Sequence, residues 1–345
     1  MKALKLIIIW SLISLLLQSG TFFLADKYYQ KTLMNTKVTE ELVPKKQEPA
    51  KIPAISIPTT ATGIQVSFDG KYLAYYDNTK LTVINCLTGK SNVVSTEKNS
   101  EQLYNKWLPD INSMVLCERD LIKKTIINIF TYNADNGDKQ VPTDTNNRDI
   151  KLTLSNSKDT IGDIEMSTIM SIFYIKTVKS QSKSDIFNNN VNGKTVPIFT
   201  AKNIGNISVF PHKPFLAYED SSTNAVKITN NSWNLGKIKA CLFTTDNEDN
   251  MYVGTLENGK VKKIMYGSID KSIDKWTSLV LDAPVDKKNV IVNKNGGIYL
   301  NNSMEGSITN LVSKQKIIYT GNLLRITDKK VFSLEDGTIQ RIDLT

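Results

Sequence analysis

The chain has 345 residues, 40% of them hydrophobic, and a formal net charge of +9. That apolar content excludes a disordered chain and is enough to bury a large core. Of the 43 basic and 34 acidic residues, 8 and 4 lie before residue 61, leaving a nearly balanced 35 and 30 in the body. Only Arg119, Arg148, Arg325 and Arg341 offer the planar fork that reads bases and phosphates, and the other basic residues are lysines scattered through turns, so no nucleic-acid partner is expected.

Residues 6–25, LIIIWSLISLLLQSGTFFLA, carry no charge. A bilayer core about 30 Å thick is spanned by about 20 helical residues rising about 1.5 Å each, and lipid offers no partner to a backbone that is not helical. The run therefore predicts a transmembrane signal-anchor helix. A cleaved leader fits less well, because cutting after Ala25 puts Phe23 at the −3 position and cutting after Gly20 puts Gln18 there. Lys2 and Lys5 stand alone before the run, whereas Lys27, Lys31 and Lys37 after it have Asp26, Glu40 and Glu41 for company. The charge bias across the run is weak, and a short cytoplasmic tail, residues 1–5, with the bulk of the chain on the extracytoplasmic side is expected because a short tail before a single early anchor stays behind while the long domain is exported.

Residues 26–51 read as a Pro- and charge-rich stalk. Its early part, to about Glu41, can continue the helix, whereas Pro44 and Pro49 withhold backbone donors and favour extended chain.

From residue 52 to 345 the pattern is that of short strands. The passage 64–94, IQVSFDGKYLAYYDNTKLTVINCLTGKSNVV, alternates apolar residues between turns at Asp69-Gly70, Asn78 and Thr88-Gly89, which predicts a four-stranded antiparallel meander. One meander cannot bury both of its faces, so further copies are expected to stack against it. VSFDGKYLAYYD (66–77) aligns without a gap on VFPHKPFLAYED (209–220). Turn-then-strand units recur at Asp69, Asp110, Thr168, His212, Asp246, Lys294 and Asp328, at spacings of 41, 58, 44, 34, 48 and 34. A propeller blade needs about 40–45 residues. A second hairpin repeats at NCLTGK from Asn85, NADNGDK from Asn133 and NVNGK from Asn190.

The DGKYLAY unit followed by LTVINCLTGK resembles the WD40-like repeats of TolB-type propellers and of the propeller domains of prolyl-oligopeptidase-like enzymes. The resemblance implies an all-β propeller of four-stranded antiparallel blades around a central channel, and no particular function, since the repeat serves enzymes and scaffolds alike. Seven blades are expected, with six the competing count. The tail 323–345 supplies three strands, and the segment 52–57 is expected to add the fourth and close the ring.

Signs of catalysis are sparse. His212, the sole histidine, stands where Asp69 stands in the first unit, and the chain has no G-x-S-x-G elbow. SIDKSIDKW (268–276) only superficially resembles a sialidase Asp box, because Ser272 replaces the glycine and Trp276 comes one position late. NADNGD (133–138) and TDNEDN (245–250) are oxygen-rich and leave calcium a weak possibility, but neither has EF-hand spacing, and tight turns select the same residues. Cys86, Cys117 and Cys241 are odd in number and set among strand residues, which suits buried thiols better than a disulfide framework or metal site.

The expectation is a non-enzymatic, membrane-anchored scaffold that binds a protein or envelope polymer through its loops; an unrecognised hydrolase is the weaker alternative. The candidate contact loop is 176–187 with Lys176, Lys179 and Lys183, its bland alternative being a solvated hairpin. Trp107, Trp233 and Trp276 are candidate exposed aromatics for a polymer binder, although tryptophans of this kind are more often packed between blades.

Overall fold

The structure, a computed structural model, describes residues 2–34, 53–143, 149–180, 183–189 and 195–344, and within the N-terminal helix the side chains of 10–11 and 14–28. The chain divides into two units, Met1–Lys51 and Ile52–Thr345. In the first, α1 (Lys2–Met34) is a single helix whose described side chains are all exposed, Trp10 at 64% and Phe22 at 75% among them. Among the described residues no helix is long and apolar enough to cross a membrane, so the span expected over 6–25 finds no support there. Residues 26–34 of the expected stalk continue this helix; Pro44 and Pro49 lie outside the described residues.

The second unit is a propeller of seven antiparallel sheets. Blade 1 comprises β1 (Thr62–Val66), β2 (Tyr72–Asp77), β3 (Lys80–Asn85) and β4 (Ser91–Val93). Blade 2 comprises β5 (Ser100–Trp107), β6 (Ser113–Asp120) and β7 (Ile126–Asn133), its outer position shared by β8 (Lys139–Gln140) and β9 (Lys151–Thr153), both paired to β7. Blade 3 holds β10 (Thr160–Ser167), β11 (Ile172–Ser180), β12 (Lys183–Asn189) and β13 (Thr195–Lys202), and blade 4 only β14 (Ile204–Val209), β15 (Leu216–Asp220) and β16 (Ala225–Ile228). Blade 5 is β17 (Ala240–Thr245), β18 (Asn250–Glu257), β19 (Lys260–Ser268) and β20 (Thr277–Val285). Blade 6 is β21 (Val290–Val292), β22 (Ile298–Asn302), β23 (Ser307–Asn310) and β24 (Lys316–Ile318); blade 7 is β25 (Asn322–Ile326), β26 (Lys330–Glu335) and β27 (Thr338–Asp343).

Two-residue alternation explains why these sheets stack. In β2, Leu73 and Tyr75 point towards Phe332 and Ile339 of blade 7, while Tyr72 and Ala74 point the opposite way, towards Trp107 and Met114 of blade 2. The buried residues form seven apolar clusters, each shared by two successive blades, the last joining blade 7 to blade 1. Burying each such Leu, Ile or Phe contributes about 1.5–3 kcal/mol, so stability resides between the sheets as much as within them.

The aligned units superpose in role: Leu73 and Ala74 match Leu216 and Ala217, all four at 0% exposure. All seven sequence landmarks, from Asp69 to Asp328, fall in the turn between the first and second strands of a blade. Closure is as expected: Ser56 bridges Thr338 antiparallel, the Ile57 N–H donates to the Gly337 carbonyl at 2.8 Å, and the Ile339 N–H donates to Ile55 at 2.9 Å.

Candidate functional site

The first strand of each blade lies innermost. Six of the seven, β1, β5, β10, β14, β17 and β25, carry a register shift against their neighbour, immediately before Gln65, Tyr104, Asp163, Ile207, Thr244 and Arg325 respectively. A bulge twists the strand and re-aims the residues after it. Here it helps bring polar side chains into the centre of the ring, where a cavity of about 250 Å³ is lined by Gln65, Lys106, Glu165, Lys294 and Arg325 together with apolar groups.

These polar groups lace the inner strands together. The Gln65 amide donates to the Asn105 carbonyl at 3.0 Å, and Lys106 Nζ reaches Asp163 at 2.7 Å and Glu165 at 2.6 Å. Glu165 Oε2 accepts the Val209 N–H at 3.3 Å and stands 3.8 Å from Lys294 Nζ, which donates to the Thr245 carbonyl at 3.1 Å. Arg325 Nη1 donates to the Val66 carbonyl at 3.0 Å and ties blade 7 to blade 1. Burial opposes the charge on Glu165, but Lys106 and Lys294 outweigh it and hold the carboxyl below the ordinary glutamate value. Burial likewise opposes the ammonium of Lys106, which Glu165 and Asp163 nonetheless raise. For Lys294 and Arg325 burial prevails, and both are lowered from their usual values.

The turns after the inner strands surround one mouth of this channel and are bonded to one another. Asn112 donates to Asp69 at 2.9 Å, Thr168 to Asp110, Ser167 to the Pro211 carbonyl at 2.6 Å, the His212 N–H to Asp249 at 3.0 Å, and the Asn247 N–H to the Lys294 carbonyl at 2.8 Å. A second cavity of about 250 Å³ opens among them, sharing Pro109, Lys294 and Arg325 with the first. Ile111 and Ile169, in adjacent turns, are 47% and 61% exposed on this face.

The sequence candidates fall elsewhere. The stretch 176–187 is not an irregular loop but the hairpin of β11 and β12, whose tip residues 181 and 182 lie outside the described set. Ile186 and Phe187, on opposite faces of β12, are both buried, as is Ile175 beside Phe187 on β11, so the hairpin is covered on both sides. Lys176 Nζ donates to the Gly205 carbonyl at 2.6 Å, Lys179 pairs with Asp185 at 2.7 Å, and only Lys183 is exposed. The tryptophans are not exposed aromatics either. Trp107 is 4% exposed between blades 1 and 2, while Trp276 is 7% exposed and stacks on the half-buried Trp233 between blades 4 and 5, with ring centroids 5.4 Å apart. The Trp276 indole donates to the Ser268 carbonyl at 3.0 Å, so SIDKSIDKW serves packing.

His212 lies in its turn with Nδ1 3.6 Å from Asp249. In the calcium candidates, Asp246 accepts the Glu248 and Asn250 N–H groups and the Tyr252 hydroxyl, and Asp135 accepts Lys71 and Tyr72. Among the described residues no group of three or more His, Cys, Asp or Glu is placed to hold a metal ion. All three cysteines are buried and free.

No protein-family model matches the chain, and no curated protein matches it. Among solved structures it is similar to the tricorn protease, at 11% identity and a TM-score of 0.52 over 86% of this chain, although it spans only 34% of that protein's length. It is also similar to Kluyvelomyces marxianus Hsv2, at 10% identity and a TM-score of 0.50, covering 83% of this chain and 93% of that one. At such identities the likeness is one of fold: a seven-bladed, WD40-like propeller.

Proposed function

We propose that this chain is a non-enzymatic, membrane-tethered propeller that presents the turn face around its channel mouth to a protein partner on the extracytoplasmic side. The observation that carries this reading is the face itself: turns of successive blades bonded into one preformed surface, with Ile111 and Ile169 exposed beside a polar cavity. A preordered surface loses little entropy on binding, and exposed branched side chains next to polar groups suit a partner's contact. The buried Glu118 and the half-buried Glu165 are committed to Lys139 and Lys106, which leaves neither poised for acid–base work. The anchor rests on the length of the charge-free run 6–25 and on the poor cleavage positions after it. The TolB-type kinship rests on the DGKYLAY unit.

The test is a photo-crosslinker placed at Ile111 or Ile169 in intact cells, with Ile122, 75% exposed on the opposite face, as the control position. A discrete adduct from the first two positions and none from the third supports the reading. Recovery of the chain in the soluble fraction after lysis sinks the tether, and adducts only from Ile122 sink the choice of face.

A further inference from the structure

We propose that the channel of this propeller binds a small monocarboxylate, the charge lying against Arg325 and Lys294 and an apolar stem against Ile64, Leu108, Met166 and Leu324. The ligand class follows from three features of the cavity. The first is unspent donor capacity. A guanidinium carries five N–H groups, yet Arg325 makes one hydrogen bond, to the Val66 carbonyl, and forms no ion pair among the described residues. Lys294 makes its bond to a backbone carbonyl at 3.1 Å, and its carboxylate neighbour Glu165 stands at 3.8 Å, beyond hydrogen-bond length.

The second feature is the charge balance. Lys106 is occupied by both Asp163 and Glu165, so of the three cations that line the cavity Lys294 and Arg325 have no carboxylate within hydrogen-bond length among the described residues. Asp69 and Asp328 act on Arg325, and Asp246 on Lys294, through space, without a hydrogen bond to either cation. A carboxylate offers two parallel acceptors to the guanidinium fork.

The third feature is the wall. Ile64, Leu108, Met166 and Leu324 line the same 250 Å³ cavity and have no use for a bare inorganic anion. A few convergent polar groups beside an apolar wall are the ordinary plan of a small-molecule site.

The carboxylate can arrive on a free acid or on the C-terminus of a peptide, and the proposal rests on reading the channel end as this protein's binding region. Calorimetric titration of the purified full-length chain needs neither membrane nor partner, so its failure is distinct from failure of that reading. Phenylacetate, hexanoate, a short apolar peptide in free-acid and amidated forms, phenylethanol and inorganic phosphate are the probes. Saturable binding of at least one carboxylate, about tenfold or more tighter than its uncharged counterpart, supports the site. Binding of the free-acid peptide alone supports it and assigns the source to a chain end. Arg325→Met and Lys294→Met should each weaken binding about tenfold or more, and Arg325→Lys less than Arg325→Met. Unfolding curves for each variant separate loss of the site from loss of the fold, with Arg325→Lys as the variant least disturbing to the blade junction. No saturable carboxylate binding up to about 10 mM, phosphate bound best, or affinity unchanged in folded Arg325→Met and Lys294→Met overturns the proposal.

Discussion

Glu118, at 0% exposure, accepts the ammonium of Lys139 at 2.6 Å, and the same ammonium stands 4.1 Å from the Phe130 ring centroid. Its second oxygen accepts the Glu97 N–H at 2.9 Å. An enclosed charge robbed of its partner is far more costly than one never buried. Lys139→Met should therefore destabilise the propeller by about 3–5 kcal/mol in urea unfolding, while the double change with Glu118→Gln should cost less than Lys139→Met alone. A double variant as unstable as the sum of its singles would show that the two groups are not coupled.

Gly70 occupies the left-handed region at φ +78, and a Cβ there would lie 2.2 Å from Phe332 Cζ across the junction of blades 1 and 7. Both strain and overlap oppose a side chain. Gly70→Ala should lower stability by about 2 kcal/mol or more, with partial recovery when Phe332→Leu makes room. Thermal melts of the two variants check this, and an unchanged melting temperature for Gly70→Ala refutes it.

Asp220 is held at about 2. Burial opposes its charge, but Lys227 at 2.6 Å and the Ser222 hydroxyl more than compensate. A carboxyl depressed on folding stabilises above its unfolded value near 3.9 and loses that contribution as pH falls through its folded value. Asp220→Asn should thus cost on the order of 1–2 kcal/mol at neutral pH, with the difference from wild type vanishing between about pH 4 and pH 2. Denaturant midpoints measured along that interval provide the check.

Burial pushes the thiols of Cys86 and Cys241 up to about 11, and that of Cys117 upward as well. At pH 8 the native protein should therefore react with Ellman's reagent far more slowly than the unfolded chain, in which all three thiols react. Prompt labelling of one thiol in folded protein would mark a breach in its blade interface.

The blade architecture was legible because Asp, Asn and Gly mark backbone positions that few other residues tolerate, and each of the seven turn landmarks lies where a turn was inferred. Two of the irregular spacings have a local cause. The 58-residue interval from Asp110 to Thr168 contains the split outer strand of blade 2, and the 34-residue interval from His212 to Asp246 contains the three-stranded blade 4. The outer hairpin of blade 6 lacks the glycine that marks the others. Asn310 caps it as Asn85 and Asn133 cap theirs, accepting the Val312 and Ser313 N–H groups, but Lys314 at φ +63 takes the place of Gly89 and Gly137. The third sequence hairpin, at Asn190, runs through residues outside the described set.

The channel was not legible. Lys106, Glu165 and Arg325 read as ordinary solvent-facing strand residues, and their meeting depends on closure of the ring. One signal was present, however: each precedes its blade's turn landmark, at Asp110, Thr168 and Asp328, by three or four positions. Aligning all seven units on those landmarks would have gathered them. The lysines of 176–187 misled for the opposite reason, since their charges mask a strand buried on both faces from Ser184 to Phe187.

The cluster joining blade 7 to blade 1 has a consequence for biosynthesis. A ribosome makes Leu73, Tyr75 and Ile84 long before Phe332 and Ile339, the residues that cover them. Each of the other six clusters is completed by the blade translated next, but this apolar flank stays uncovered until nearly the whole chain has emerged. The nascent protein therefore carries a sticky leading edge throughout its synthesis, a natural docking point for chaperones and the place from which misassembly would start.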